Sequence, residues 1–294
     1  MKFPISGVST NPIFPFLVAM VTSTFTSTAG VSGAFLLMPF QVSVLGFIGP
    51  GVTPTNHLFN VIAIPIGVYR FIREGRMIWP IASIIIVGTI PGVVFGSLGR
   101  IYLLPDPRMF KLFMGSVLLY IGARMVQKVL APRKEKAAAP GGALKVTLRR
   151  FDAGGLVYAY RGEEYSMSPA TLFGLSAFIG VVGGAYGVGG GAIIAPILVS
   201  MYGLPVHTIA GATLTGTCLT SIVGVLFFAA LGSATGRTDL RPDYMLGGLL
   251  GLGGLLGHYV GTRSQKYLPA RAIEVVLAMV VTGTALKYVV GFFL

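Results

Sequence analysis

In the stretch Thr53-Pro54-Thr55-Asn56-His57-Leu58-Phe59-Asn60, polar side chains crowd the start of an apolar span. Such groups are costly in hydrocarbon unless they face a bundle interior or an aqueous cavity. Asn56 and Asn60 stand one helical turn apart on one face. At an offset of 157 residues, Ala210-Gly211-Ala212-Thr213-Leu214-Thr215-Gly216-Thr217 puts Thr213 and Thr217 at the same two positions. Neutral amides and hydroxyls without a carboxylate beside them suit hydrogen bonding to the oxygens of an anion. Bonding between helices is the alternative for each, because Asn and Thr bridge packed helices in any membrane bundle. His57 would carry a proton or read an anion, and a structural histidine is its competing reading.

A second feature repeats at the same offset. Gly187-Val188-Gly189-Gly190-Gly191-Ala192-Ile193-Ile194-Ala195-Pro196 aligns without a gap on Gly30-Val31-Ser32-Gly33-Ala34-Phe35-Leu36-Leu37-Met38-Pro39. Glycine stands first and fourth in both, valine second and proline tenth. Glycines in hydrocarbon-compatible sequence break a helix where the chain is shielded from lipid, or let backbones pack closely. A break frees N–H groups, and the helix after it presents its positive dipole end. Two such ends, at Ser32, Gly33 and Ala34 and at Gly189, Gly190 and Gly191, would hold an anionic group near the midplane without a buried cation. Close packing through small residues is the other reading of each cluster.

The elements that position these residues follow from composition. Of 294 residues 54% are hydrophobic and only 11% charged, with mean hydropathy +0.81. Soluble domains carry about 25% charge, and several apolar runs here match the roughly 20 residues that span a bilayer. The chain reads as a polytopic, all-α membrane protein. Its net charge of +13 lies mostly in short gaps between apolar runs and in one linker, as loop charges facing cytoplasm and anionic lipid do. Nucleic acid is therefore not an expected partner. The N-terminus lacks the compact basic region, apolar core and cleavage site of a removed signal peptide.

Three segments are expected: a transmembrane repeat over 1–130, a linker over 131–168 and a second repeat over 169–294. Ile13 to Phe47 and Ala170 to Tyr202 are each too long for one span, so each is read as two helices meeting at a glycine break, Gly30–Gly33 and Gly183–Gly191. Val52 to Phe71 and His207 to Leu231 are the next spans, with Gly67 aligning on Gly224. The glycine-rich third spans, Ile78 to Leu98 and Tyr244 to Val260, follow, and the last are Met109 to Val129 and Ile273 to Leu294. Pro269 matches Pro105, and Arg271 matches Arg108. In the linker, Arg133–Lys136 and Pro140-Gly141-Gly142 precede strand-like alternation on either side of Asp152-Ala153-Gly154-Gly155, which reads as a β-hairpin or a flexible connection. Lys128, Arg133, Lys134, Lys136, Lys145, Arg149, Arg150 and Arg161 place the linker in the cytoplasm. Counting spans backward from the linker puts Arg70–Arg76 inside and Arg100–Lys111 outside. If the second broken segment returns to its starting side, Arg263, Lys266 and Arg271 fall inside and Arg237–Arg241 outside, and the two repeats of about four spans are inverted. If it crosses once, the charge rule is poorly obeyed.

Other chemistry is missing. No Asp or Glu falls mid-span, and Glu274 lies near the start of the last one, which disfavours a carboxylate relay and a cation substrate. Arg124 and Lys287 near span ends read as snorkelling. No phosphate-binding G-x-x-x-x-G-K-[ST] loop, H-E-x-x-H motif or nucleophile–base pair is present. No catalytic residue, metal ligand or cofactor is assigned, and an enzyme is not expected. Cys218 stands alone, which argues against sulfur relay through cysteines.

Two halves of about four spans, each opening with a glycine-rich break, an apolar run and proline, then a small or Thr-rich segment, resemble the TauE/SafE sulfite exporter family. Gly187–Pro196 is the clearest copy. Ser32, Ala34 and Phe35 depart from the family pattern in the first, as does Thr53-Pro54-Thr55-Asn56-His57. The resemblance covers nearly the whole chain and implies outward transport of a small sulfur-containing anion, sulfite or an organosulfonate such as sulfoacetate, across the bacterial inner membrane. The reading is a transporter working by alternating access, with broken or re-entrant helices at the repeat interface. The site would be Ser32, Gly33, Ala34, Asn56, His57, Asn60, Gly189, Gly190, Gly191, Thr213 and Thr217. An anion channel, or an uptake permease for another small organic anion, is the alternative. The bilayer and the anion are the expected partners, and a homodimer is admitted.

Overall fold

The structure, a computed structural model, describes residues 1–28, 31–130, 146–152, 154–160, 162–264 and 270–293. Gly30, Arg133–Lys136, Pro140-Gly141-Gly142, Lys145, Arg161, Lys266 and Pro269 lie outside them, as do the side chains of Lys128, His207, Arg271 and Glu274. The first half runs α1 (Ile13–Thr28), α2 (Ala34–Ser43), α3 (Val52–Ala63), α4 (Pro65–Arg73), α5 (Trp79–Tyr102) and α6 (Pro107–Leu130). The second runs α7 (Pro169–Tyr186), α8 (Gly190–Tyr202), α9 (Val206–Ala234), a 3₁₀ turn (Thr238–Leu240), α10 (Tyr244–Ser264) and α11 (Ala270–Phe293). Among the described residues, α5, α6, α7, α9 and α11 contain stretches long and apolar enough to cross a membrane. Phe95, Phe178, Leu226, Met279 and Phe293 are exposed, as side chains facing lipid would be. This is a mostly helical, polytopic membrane protein.

Two spans differ from the sequence reading. The second break is shorter than expected: Gly183 and Gly184 remain in α7, and only Gly187–Gly189 leave the helix. Gly183 keeps its place because its carbonyl accepts from the N–H groups of Gly187 (2.9 Å) and Val188 (3.1 Å), closing the end of α7. The span read as Val52 to Phe71 divides at Ile64 into α3 and α4. Pro65 has no N–H to give the preceding turn, and its ring crowds the carbonyl four residues back. No proline interrupts α9, which runs unbroken for 29 residues.

The helices pack as though the halves had been exchanged. α5 packs most extensively on α7, and its counterpart α10 packs on α1; α5 also lies along α9, and α10 along α3, while α6 pairs with α11. Matching glycine ladders make the two long contacts. Gly88, Gly92 and Gly96 of α5 approach α7 so closely that a Cβ at Gly92 would lie 2.4 Å from the Ala177 carbonyl, and one at Gly96 2.0 Å from that of Val181. Gly253, Gly257 and Gly261 of α10 repeat the spacing against α1, where added Cβ atoms would come within 2.2 Å of the Phe16, Met20 and Thr24 carbonyls. Small residues let membrane helices pack backbone to backbone. The aligned pair Gly67 and Gly224 is reciprocal too. Gly67 faces Leu214, and Gly224 faces His57, which occupies the position matching Leu214.

An antiparallel sheet follows, of β1 (Thr147–Asp152), β2 (Gly155–Tyr160) and β3 (Glu163–Met167), in that order. The hairpin turn is closed by Asp152, whose Oδ1 accepts from the N–H groups of Gly154 (2.9 Å) and Gly155 (3.0 Å). β3 is added to the hairpin read from the sequence. Leu156 and Tyr158 are buried, and the Tyr158 hydroxyl lies 2.9 Å from Thr208 Oγ1 at the start of α9. Burial pushes that hydroxyl up to about 12, so it remains neutral at ordinary pH.

Buried Asp243 anchors the N-terminal segment. Its Oδ2 accepts from the N–H of Ile5 (3.2 Å) and of Ser6 (2.9 Å) and from Ser6 Oγ (2.8 Å). Its Oδ1 caps α10 through the Leu246 N–H (3.1 Å), and its own N–H donates to Thr55 Oγ1 on α3 (2.8 Å). Asp243→Ala strands several of these donors, and hydrogen bonds to charged groups contribute about 1.5–3 kcal/mol each. The variant is expected to melt several degrees lower in detergent and to be cleaved by protease near Ser6. An unchanged melting temperature would contradict this anchoring role.

Candidate functional site

The site is built on one face of α3. Thr53, Asn56, His57 and Asn60 fall at spacings that share a face, and all four are fully buried. The two breaks meet on that face. Asn56 Nδ2 donates to the Ala34 carbonyl at the start of α2 and to the Gly187 carbonyl at the second break, both at 3.0 Å. One turn on, Asn60 Oδ1 accepts from Ser32 Oγ (2.6 Å), and its Nδ2 donates to the Val188 carbonyl (3.0 Å). Each asparagine therefore holds both breaks. Two more contacts tie them: Tyr186 donates to the Phe35 carbonyl (3.1 Å), and Thr53 Oγ1 donates to that of Ala185 (3.3 Å).

The second break is shaped by backbone crowding. Gly187 and Gly189 have φ of 81° and 76°, a region L residues with side chains rarely adopt. A Cβ at Gly187 would lie 2.6 Å from the Thr53 carbonyl, one at Gly190 2.4 Å from Thr89 Cγ2, and one at Gly191 1.8 Å from the Thr213 carbonyl. Three helices, α3, α5 and α9, thus close on these three glycines. The buried α8 N-terminus has no side-chain cap, whereas at α2 the Ser32 hydroxyl accepts from the Ala34 N–H (3.3 Å). The first break is looser, since a Cβ at Gly33 would meet only side-chain atoms, the Ser23 and Thr26 hydroxyls at 3.2 and 3.3 Å and a Thr22 methyl at 3.5 Å.

All the residues read from the sequence are buried here, and their contacts divide them. Ser32, Gly33 and Ala34, Asn56 and Asn60, and Gly189–Gly191 surround the junction of the breaks. Thr213 and Thr217 reach it from α9, packed against Gly191 and Gly189. Their hydroxyls donate within their own helix, to Ala210 (3.2 Å) and Thr213 (2.9 Å), and keep lone pairs rather than donors for a ligand. His57 packs on Gly224, with Nδ1 3.2 Å from Ser221 Oγ. Both asparagine amides act as bridges between helices in this arrangement.

Two partners escaped the sequence reading. Ser221 Oγ accepts from Asn60 Nδ2 (3.1 Å) as well as facing His57, and it lies one turn beyond Thr217 on the same face, where extending the pattern finds it. Gln41 Nε2 donates to Asn56 Oδ1 (3.0 Å), and its Oε1 is buried without a hydrogen-bond partner among the described residues. A lone glutamine in an apolar helix was the available signal. No group of three His, Cys, Asp or Glu side chains able to hold a metal occurs among the described residues.

Two helix breaks thus meet at buried, uncharged polar side chains inside a polytopic helical membrane protein, and the comparisons with known proteins make it a membrane transporter. The family model described as sulfite exporter TauE/SafE matches residues 15–288, and the chain belongs to that family. It is similar to the probable membrane transporter protein y4hK of Sinorhizobium fredii, 25% identical over 92% of this chain and 94% of the relative. It is also similar to the probable membrane transporter protein YjnA of Bacillus subtilis, 20% identical over 93% of this chain and 98% of that protein. No solved structure matches it.

Proposed function

We propose that this transporter carries a small sulfur-containing anion, sulfite or an organosulfonate such as sulfoacetate, outward across the bacterial inner membrane by alternating access. The observation that carries the reading is the double bridge: Asn56 and Asn60 each donate to a carbonyl of the second break while bonding the first. An anion entering the junction accepts those amide hydrogens and frees the carbonyls. The breaks are then no longer locked together, and the halves rock about α3. The uncapped α8 N-terminus faces the same junction and favours negative charge. The exchanged packing supports repeats related by a twofold axis. Inverted repeats, with the 131–168 linker on the cytoplasmic face, satisfy the loop charges best, and a homodimer is the oligomer proposed.

Thermal stability in detergent tests substrate and site together, because a ligand of the folded state raises the melting temperature by mass action. Sulfite, sulfate, thiosulfate, sulfoacetate and taurine are compared with acetate. A shift is expected for sulfite or sulfonates, and the Asn56→Ala/Thr213→Ala pair is expected to lose it. A shift for acetate with none for any sulfur anion would reject the substrate. Unchanged shifts in the double variant would reject the site.

A further inference from the structure

Three cations gather at one end of the bundle. Arg108 and Lys111 from the start of α6, Lys287 near the end of α11, and Ser43 and Tyr288 line a cavity of about 510 Å³. Asp106, the acid nearest in sequence, is engaged by the backbone N–H groups of Arg108 (2.6 Å) and Met109 (3.2 Å). Among the described residues no ion pair involves Arg108, Lys111 or Lys287. Asp106 caps the start of α6, whose first turn carries no acid of its own, so that carboxylate is committed to the backbone while Arg108 and Lys111 stand beside it. The three also repel one another. An anion in the cavity would relieve that repulsion.

The rest of the lining suits an oxyanion. Ser43 Oγ and the Tyr288 hydroxyl lie 2.5 Å apart, and Tyr288 also reaches the Pro39 carbonyl of α2 (3.3 Å). With Tyr288 donating to Pro39, the Ser43 hydroxyl donates to Tyr288; turning the Tyr288 proton to Ser43 Oγ instead would release the Ser43 proton to a ligand. The ten residues of α2 separate this cavity from the first break, about 15 Å of helix. In the inverted topology, Arg108 and Lys111 lie on the face opposite the linker, where the charge rule depletes rather than enriches basic residues.

The geometry points to a second, peripheral anion site in this cavity, one that takes a tetrahedral oxyanion group at the water boundary, either a free sulfonate or sulfate or the phosphate of a lipid head group. Its role as a staging point for cargo rests on the proposed transport function, whereas the binding itself does not.

Amine footprinting of the full chain tests the site. In phosphatidylcholine nanodiscs, Lys111 and Lys287 are acetylated in a short pulse at rising sulfate, with ionic strength held by sodium chloride and exposed Lys2 as the reference. Saturable protection of both, about fivefold once sulfate exceeds its Kd several times over, assigns the site to a free anion. A second arm omits sulfate and adds phosphatidylglycerol; protection there alone assigns it to a lipid phosphate. Arg108→Gln is expected to raise the required concentration about tenfold. Labelling of Lys111 and Lys287 that tracks Lys2 in every condition would overturn the proposal. Asn60→Ala provides the separation: transport lost with the footprint intact confines the damage to the central site, and a footprint retained where wild-type protein moves no sulfur anion defeats the transport reading alone.

Discussion

Asn60→Ala is expected to abolish measurable transport and to lower the melting temperature of the protein. The side chain accepts from Ser32 Oγ and donates to the Val188 carbonyl and to Ser221 Oγ, all in fully buried surroundings. Alanine leaves these groups without the amide and cuts one of the two bridges between the breaks. Interhelical hydrogen bonds in membranes contribute about 0.6 kcal/mol on average and at most about 1.7, so loss of three costs on the order of 2–4 kcal/mol. Asn60→Asp separates support from recognition. It keeps the acceptor for Ser32 but places a carboxylate without donors where an anion must enter, so it is expected to transport no better than alanine. Wild-type uptake rates in either variant, normalised to folded protein, would show that the bridge is dispensable.

The second large effect concerns the glycine ladders. Gly96→Leu and Gly257→Leu are each expected to yield little monodisperse protein, with similar losses. The first Cβ would lie 2.0 Å from the Val181 carbonyl and the second 2.2 Å from that of Met20. Neither obstacle is a flexible side chain. Overpacking usually costs about 1–3 kcal/mol, and more where the structure cannot shift; backbone meeting backbone is such a case. Gly248→Leu on the same helix α10 is the control, since a Cβ there meets nothing within 4 Å. Size-exclusion profiles of the three variants decide the matter. Equal recovery of Gly257→Leu and Gly248→Leu would contradict the close α1–α10 contact.

The sequence carried the junction well because its signals are local. Positions 30–39 and 187–196 repeat glycine, valine and proline at one offset, and Asn56 and Asn60 declare a shared face by their spacing. Nothing local shows that both asparagines would each reach both breaks. That depends on α2, α3 and α8 converging from segments more than 120 residues apart. Gln41 and Ser221 were passed over because one amide or hydroxyl in an apolar run is a weak signal on its own. Asp243 sits between spans with no local signal of its role, yet it binds a segment almost the whole chain away. The ladder offset grows to 165 residues at Gly253, Gly257 and Gly261, which hid their match to Gly88, Gly92 and Gly96. The division at Ile64 was legible in Pro65 and was overridden by the apolar run around it.

Counterflow of labelled sulfite in proteoliposomes, under anaerobic conditions to prevent oxidation, tests the junction most directly. Wild-type protein is expected to show saturable exchange accelerated by unlabelled sulfite on the opposite side, and the Asn56→Ala/Asn60→Ala variant to show none while remaining folded. Exchange that persists in that variant, or a sulfite flux that never saturates and carries ohmic current, would contradict a carrier gated by the paired breaks.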